Sequence, residues 1–183
     1  PEVMTEFIPQ NATLITSEQH MLPILRAAAP RRNTDTIAVG WLETGLVSAD
    51  VLARFPYDEH PANIALILAL SRELGIAEDF ALKEIADRVV PDLGVLKSFP
   101  TSELDSCTLE FVNGMAANER LGFMGNWNRI GFAEHDVDAD PGTWITTLVN
   151  NRADRVPRSR VFADVLVRDI QADRHYLIGS NLH

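Results

Sequence analysis

Apolar positions change period several times along the chain, and each change marks an expected element. Residues 12–15 form a short apolar run, and Thr16-Ser17-Glu18 behind it offers a helix cap with an acidic first turn. Over residues 18–29, Met21, Leu22, Leu25 and Ala28 recur at helical spacing. Pro30-Arg31-Arg32-Asn33 stops that helix, and residues 36–40 read as a buried strand ending in glycine. Strand, helix and strand at this separation predict a βαβ unit of a parallel sheet.

The clearest helix follows. His60 or a neighbour caps it, Pro61 occupies its first position, and Ile64, Ile67, Leu68 and Leu74 recur in period before Gly75 closes it. A shorter amphipathic helix is expected over 78–90, with Phe80, Leu82, Ile85 and Val89 on its apolar face, ending at Pro91-Asp92-Leu93-Gly94. Residues 108–112 then form a β-rich run, and a polar turn leads to a helix over 120–130. A strand over 143–149, a helix over 158–169 and a strand over 175–178 complete a βαβαβ order. That order predicts a second, nucleotide-binding-like domain. The boundary falls within 91–106, so domains are expected over 1–95 and 96–183. There is no internal repeat and no low-complexity segment.

Composition narrows the picture. The chain has 183 residues, enough for one large domain or parts of two, and 46% of them are hydrophobic. Twenty-six acidic residues against sixteen basic ones give a net charge of −10. Without a basic block, this excludes nucleic acid as a main partner. The single Cys107 excludes an intramolecular disulfide and fits a reducing compartment. No apolar run approaches the roughly 20 residues that span a bilayer, and no signal peptide is visible. The chain opens on Pro1, and Lys83 and Lys97 are its two lysines. Both follow leucine, so neither completes a G-x-x-x-x-G-K-[ST] loop, and there is no G-x-G-x-x-G. These residues alone supply no triphosphate cradle.

Four segments carry candidate chemistry. The acidic loop Glu134-His135-Asp136-Val137-Asp138-Ala139-Asp140 opens like a calcium loop, but Pro141 and Thr147 stand where an EF-hand has its glycine and bidentate glutamate. It reads as a solvated loop, with no metal assigned. Asn63, on the first turn of the strong helix, has the donor and acceptor that complement an adenine edge, although spacing alone favours a capping role. Asn113-Gly114-Met115-Ala116-Ala117-Asn118-Glu119 joins a strand end to a helix start, where open α/β sheets collect ligands. Turn chemistry explains Asn113-Gly114 equally well, and Asn118 and Glu119 could be only a cap and a first-turn acid. Asn150-Asn151-Arg152-Ala153-Asp154-Arg155 follows the next strand, with Arg158 and Arg160 just beyond. Guanidinium forks there suit a polyphosphate or carboxylate ligand, and the alternative is a surface salt-bridge cluster. In an acidic chain the local positive charge favours function.

Together these segments resemble a known family. His60-Pro61-Ala62-Asn63-Ile64-Ala65-Leu66 is similar to the adenine-site helix of the Mur ligase superfamily. Phe111-Val112-Asn113-Gly114-Met115-Ala116-Ala117-Asn118-Glu119 resembles the C-terminal-domain motif of its poly-γ-glutamate synthase branch, roughly Asn-Ala-Phe-Ala-Ala-Asn-Asp-Pro. Val149-Asn150-Asn151-Arg152-Ala153-Asp154-Arg155 resembles that branch's Asn-Asn-Arg-x-Asp-Arg element, and Glu2-Val3-Met4 a short motif near the start of this region. The resemblance runs through nearly the whole chain in order. It departs where Glu119-Arg120 replaces Asp-Pro, and in a stretch that the family has between Val3-Met4 and Ile8-Pro9 and this chain lacks.

The resemblance implies an α/β protein comprising the end of a Mur-ligase-like central ATPase domain and an incomplete Rossmann-like C-terminal domain, with the phosphate loop outside this segment. It implies an ATP-dependent amide ligase with Mg2+. A substrate carboxylate attacks the γ-phosphate to form an acyl phosphate, and the amine of glutamate then displaces phosphate. Asn63 is then expected on adenine, and Asn113 and Asn118 on the nucleotide face of the last domain. Arg152 and Asp154 are expected to orient substrate or phosphate, with Arg155 in support, as domain closure expels water. Poly-γ-glutamate and glutamate are the implied substrates, membrane-bound export subunits and a second copy of the chain the partners considered, and the cytoplasm, at the inner face of the membrane, the location. This segment alone is expected to be inactive. Two alternatives stand beside this reading, a folylpolyglutamate or peptidoglycan-precursor ligase, and a degenerate α/β binding module.

Overall fold

A short helix α1 (Glu2–Glu6) leads into strand β1 (Thr13–Thr16), which pairs in parallel with β2 (Asp35–Ala38) from Thr13↔Asp35 to Thr16↔Ala38. The computed structural model describes residues 2–136 and 138–180, with only the backbone of Glu2 and Met4. The Glu2 and Met4 side chains of the first motif therefore lie outside the described residues, as does Val137 of the acidic loop. The chain divides into two units between Asp92 and Leu93.

In the first unit the β1–β2 crossover carries α2 (Leu22–Ala28) and a 3-10 turn (Ala29–Arg32). The helix begins later than its apolar period indicates, because Thr16 and Ser17 do not cap it. The Thr16 hydroxyl accepts from the Glu18 N–H at 3.1 Å instead, and α2 starts with Pro23 in its first turn. Beyond β2, Gly40 opens α3 (Trp41–Gly45), and Ser48 caps α4 (Ala49–Leu52) by accepting from the Val51 N–H. Both helices are too short to show a period and escape the sequence pattern.

Helix α5 (Pro61–Glu73) follows expectation at both ends. His60 Nδ1 accepts from the Ala62 N–H at 3.1 Å. Gly75, at φ +70°, donates to Arg72 O while Ile76 donates to Ser71 O at 2.8 Å, a paired C-terminal closure that needs the left-handed residue. Ala65 and Ala69 pack with Val39, just past β2, and Ile64, 1% exposed, packs with Phe55 and with Ala86 of α6 (Glu78–Arg88). The apolar face of α6 differs from expectation. Ala81 and Ala86 are its buried residues, Leu82 and Ile85 flank them, and Phe80 is 59% exposed. Small residues there give the close approach that α5 and α6 require.

The second unit begins with short antiparallel ladders. Strand β3 (Lys97–Ser98) pairs with β6 (Val112–Asn113), and β4 (Ser102–Leu104) with β5 (Cys107–Leu109). This corrects the expected βαβαβ order. Asp105 adopts φ +53° and turns the chain within two residues, so the run at 108–112 pairs locally rather than with a distant parallel strand. One parallel crossover follows helix α7 (Arg120–Arg129): β7 (Thr146–Asn151), a 3-10 turn (Ala153–Arg155), α8 (Val156–Arg168) and β8 (Arg174–Gly179). β7 and β8 pair from Thr146↔Arg174 to Asn151↔Gly179. Thr147, buried, and His175 meet across the pair at 2.8 Å (Oγ1 to Nδ1). Trp127, Ile145, Val165, Leu166 and Ile170 form the core beneath, with Phe123 stacked on Trp127 at 5.8 Å.

Among the described residues no helix is long and apolar enough to cross a membrane. The two expected faces of the first unit separate in a denaturation experiment. Ile64→Ala should cost about 3 kcal/mol in urea-induced unfolding, since it empties a closed site. Phe80→Ala, on the exposed side of α6, should stay within about 0.5 kcal/mol.

Candidate functional site

Parallel strands joined by a crossover end on the same side, so the residues after β7 and after β8 share one edge of their sheet. Asn151 is the last residue of β7, and Ser180 just past β8 donates to its carbonyl at 3.0 Å. Gly179 beside it has φ +105°, and a Cβ there would collide with the Asn151 carbonyl oxygen and lie 2.8 Å from Asn150 Oδ1. Only glycine fits. The sequence pattern does not single out Gly179 as part of this edge; its place directly after a strand was the available signal.

From that edge the chain enters the 3-10 turn. Arg152 grips Asp154 in a two-bond fork, Nε to Oδ1 at 3.0 Å and Nη2 to Oδ2 at 2.8 Å. Arg155 reaches the same carboxylate at 3.5 Å through Nε. The hydrogen bonds from Arg152 hold the Asp154 carboxyl below its ordinary value, and the same bonds raise the Arg152 guanidinium above its own. Two guanidiniums thus share one carboxylate. A positive charge is left over, on side chains that stay largely exposed (63% for Arg152 and 42% for Arg155). A fork fixed by its own neighbour is oriented before any anionic ligand arrives.

Asn113 and Asn118 take different parts. Asn113, half-buried, donates to Leu93 O at 2.6 Å and to Val95 O at 3.4 Å, and its Oδ1 accepts from the Met115 N–H at 3.3 Å. Its carboxamide therefore staples the turn after β6 to the 93–95 segment. Asn118 is exposed and is not the cap of α7. That role belongs to Glu119, whose carboxylate accepts from the Leu121 N–H at 2.8 Å and from the Gly122 N–H. Arg120 then pairs at 2.6 Å with Asp169, the C-cap of α8. The two residues that depart from the family motif thus have structural work of their own. Among the described residues no hydrogen bond joins Asn113 or Asn118 to the Arg152–Arg155 group.

Asn63 belongs to the first unit. Its Nδ2 donates to Glu59 Oε1 at 2.7 Å, and that carboxylate also accepts from the His60 N–H at 2.7 Å and the Tyr57 hydroxyl at 2.5 Å. His60 supplies the cap, so Asn63 is not used for that role, and it stands exposed with its amide oriented by Glu59. Burial, followed by the Glu59 hydrogen bond, pushes the Tyr57 hydroxyl up to about 12. In the acidic loop, Asp136 Oδ1 accepts from the Asp138 N–H at 2.9 Å, and Asp140 Oδ2 from the Thr143 hydroxyl at 2.5 Å. Among the described residues no three metal-ligating side chains converge.

Comparison with known proteins adds a chemical context. Residues 99–183 match the family described as the poly-gamma-glutamate synthase CapB C-terminal domain, a segment lying wholly in the second unit. The chain is 31% identical over 179 residues to PGA synthase CapB of Bacillus subtilis (strain 168), covering 98% of this chain and 43% of that protein. It is 30% identical over 179 residues to the capsule biosynthesis protein CapB of Bacillus anthracis, covering 98% of this chain and 36% of that one. The chain thus spans less than half the length of these curated relatives. No solved structure gives a significant match.

The Glu59 group has a pH signature. Tyr57 favours its protonated form in the fold, so its stabilising contribution is complete below pH 10 and is lost as pH rises through about 12. Alkaline unfolding followed by circular dichroism should show that loss in the unaltered chain, and Tyr57→Phe should flatten it.

Proposed function

We propose that the chain is the distal part of an ATP-dependent amide ligase that adds glutamate to a growing poly-γ-glutamate chain. On this reading the first unit is the end of a Mur-ligase-like central ATPase domain and the second a Rossmann-like C-terminal ligase domain. The observation that carries it is the Arg152–Asp154 fork at the shared edge of β7 and β8, inside the segment matched to the synthase C-terminal domain. Two similarities that run through nearly the whole chain support the same class.

The residues fit the nucleotide in part. The oriented Asn63 carboxamide suits an adenine edge, while the sequence has no lysine-bearing phosphate loop, so the triphosphate and most ligands of Mg2+ belong to residues outside this segment. Bound MgATP supplies the phosphoryl group that turns the acceptor carboxylate into an acyl phosphate. Asp154 occupies Nε and one Nη2 hydrogen of Arg152 and so fixes the plane of the guanidinium, and Arg152 holds the carboxylate or phosphate oxygens through Nη1 and the remaining Nη2 hydrogen. Arg155 adds the second positive charge. Developing negative charge then meets donors that do not have to reorganise. Asn113 acts by holding its turn, leaving exposed Asn118 to face the nucleotide. The same reading gives the protein glutamate and the polymer as substrates, and membrane-bound export subunits as partners. It works at the inner face of the cell membrane, and this segment alone does not turn over ATP.

Arg152→Ala, in a ligase completed by the missing phosphate-loop region, should lower kcat/KM for glutamate ligation about a hundred-fold with unchanged far-ultraviolet circular dichroism. Arg152→Lys should restore little, because an ammonium cannot make the two-bond fork. Full activity in Arg152→Ala removes Arg152 from the site. ATP-dependent phosphate release with folate or a UDP-muramyl peptide, and none with glutamate, transfers the chain to another ligase class.

A further inference from the structure

The Arg152–Arg155 pair does not end the positive charge at this edge, and the continuation has a direction. Helix α8 advances 100° per residue. Its buried stripe is set by Val165 and Leu166, with Phe162 and Asp169 half-buried on the same side. Taking Phe162 as the centre of that stripe, Arg158 falls about 40° from it, and Arg155 stands immediately before the helix as its N-cap. Arg158 therefore lies towards the buried stripe at the amino-terminal end of α8 while staying exposed, next to Arg155 in the turn that leaves β7. Arg160 falls about 160° away, on the back of the helix.

The pairing of these arginines also differs along the row. Arg152 and Arg155 share Asp154, whereas Arg158 makes no ion pair among the described residues. Downstream, Arg168 is answered by Asp164 one turn away, while Arg160, on the back of the helix, also makes no ion pair among the described residues, so position rather than pairing distinguishes Arg158. Residues 150–160 hold four arginines and one carboxylate, in a chain whose net charge is −10. Arg155, the N-cap, and Arg158, in the first turn of α8, are three residues apart, a separation that makes them neighbours at this helix end. A row of regularly spaced guanidiniums suits a flexible chain with regularly spaced carboxylates better than it suits a compact anion, which one fork can satisfy.

We propose that Arg152, Arg155 and Arg158 form a row that receives successive side carboxylates of a γ-linked glutamate chain, so that the site binds a length of polymer behind the reacting end. This rests on the ligase reading above and deepens it. The fork at Arg152 and Asp154 acts at the reacting end. Arg158 is a positioning residue, one helical turn further out, that holds the chain trailing from it. Exposed ion pairs are individually weak and are screened by salt, so the row discriminates by length through several small contributions.

The test is isothermal titration of the 183-residue chain with a γ-glutamyl dimer and a γ-glutamyl dodecamer at low salt. The quantity read is the gain in affinity from dimer to dodecamer. Arg158→Ala should shrink that gain about three-fold, whereas Arg160→Ala, which removes the same charge from the back of the helix, should leave the gain intact. Raising the salt should erase the difference between the two variants. An equal effect of both variants would show bulk charge rather than a row and overturns the proposal. So does an unchanged gain in Arg158→Ala, or a loss equal for dimer and dodecamer. If inorganic triphosphate displaces the dodecamer and its own binding falls equally in Arg158→Ala, the row is a phosphate site and the proposal fails. Binding of neither oligomer by the unaltered chain also overturns the row, whereas the ligase reading stands or falls on glutamate ligation by the completed enzyme, which separates the two failures.

Discussion

The parallel pairing of β7 with β8 is the constraint on which the second unit's site depends. Six residue pairs from Thr146↔Arg174 to Asn151↔Gly179 bring two segments nearly thirty residues apart to a common edge. The crossover that makes this possible is α8, and its position is set by Val165 and Leu166 packing against Trp127, Ile145 and Ile170. Because both strands stop together, Asn150, Asn151, Gly179 and Ser180 close against one another without space for a Cβ at position 179. The turn that carries Arg152, Asp154 and Arg155 leaves from that closed edge. Slippage of the register by one residue would move every one of these groups.

Charge gives the edge its chemistry. An acidic chain with two lysines concentrates arginine where the sheet ends. Lysine would provide the same charge but not the planar fork that Asp154 pre-orients. The first unit uses the same economy differently. Glu59 gathers the Tyr57 hydroxyl, the His60 N–H and the Asn63 amide, so a carboxamide at the start of α5 is directed by a neighbour rather than left free. In both units a carboxylate fixes the side chain proposed to touch ligand.

How much of this was legible in the sequence varied with the range of the interactions. Helix α5 was readable at both ends because Pro61 and Gly75 act through local backbone geometry. The β1–α2–β2 and β7–α8–β8 crossovers were readable because strand and helix periods alternate. The sides of α6 were not, since Ala81 and Ala86 are buried for their smallness while the larger Phe80 faces solvent. The run at 108–112 misled for a related reason. β propensity does not reveal a strand's partner, and a left-handed Asp105 turned this one back on its neighbour. Arg152, Asp154 and Arg155 were visible as a cluster, but their mutual fork depends on the 3-10 turn. Arg158 became distinguishable from Arg160 only when the buried stripe of α8 was fixed.

The central claim is that the arginines at the β7–β8 edge hold a carboxylate-bearing substrate. Modification of the chain by phenylglyoxal, mapped residue by residue by mass spectrometry, tests it most directly when run with and without a γ-glutamyl dodecamer. Arg152 and Arg155 should be protected by the oligomer, while Arg26, exposed on α2 of the other unit, should react equally in both samples. Equal modification of Arg152 with and without oligomer would contradict the account.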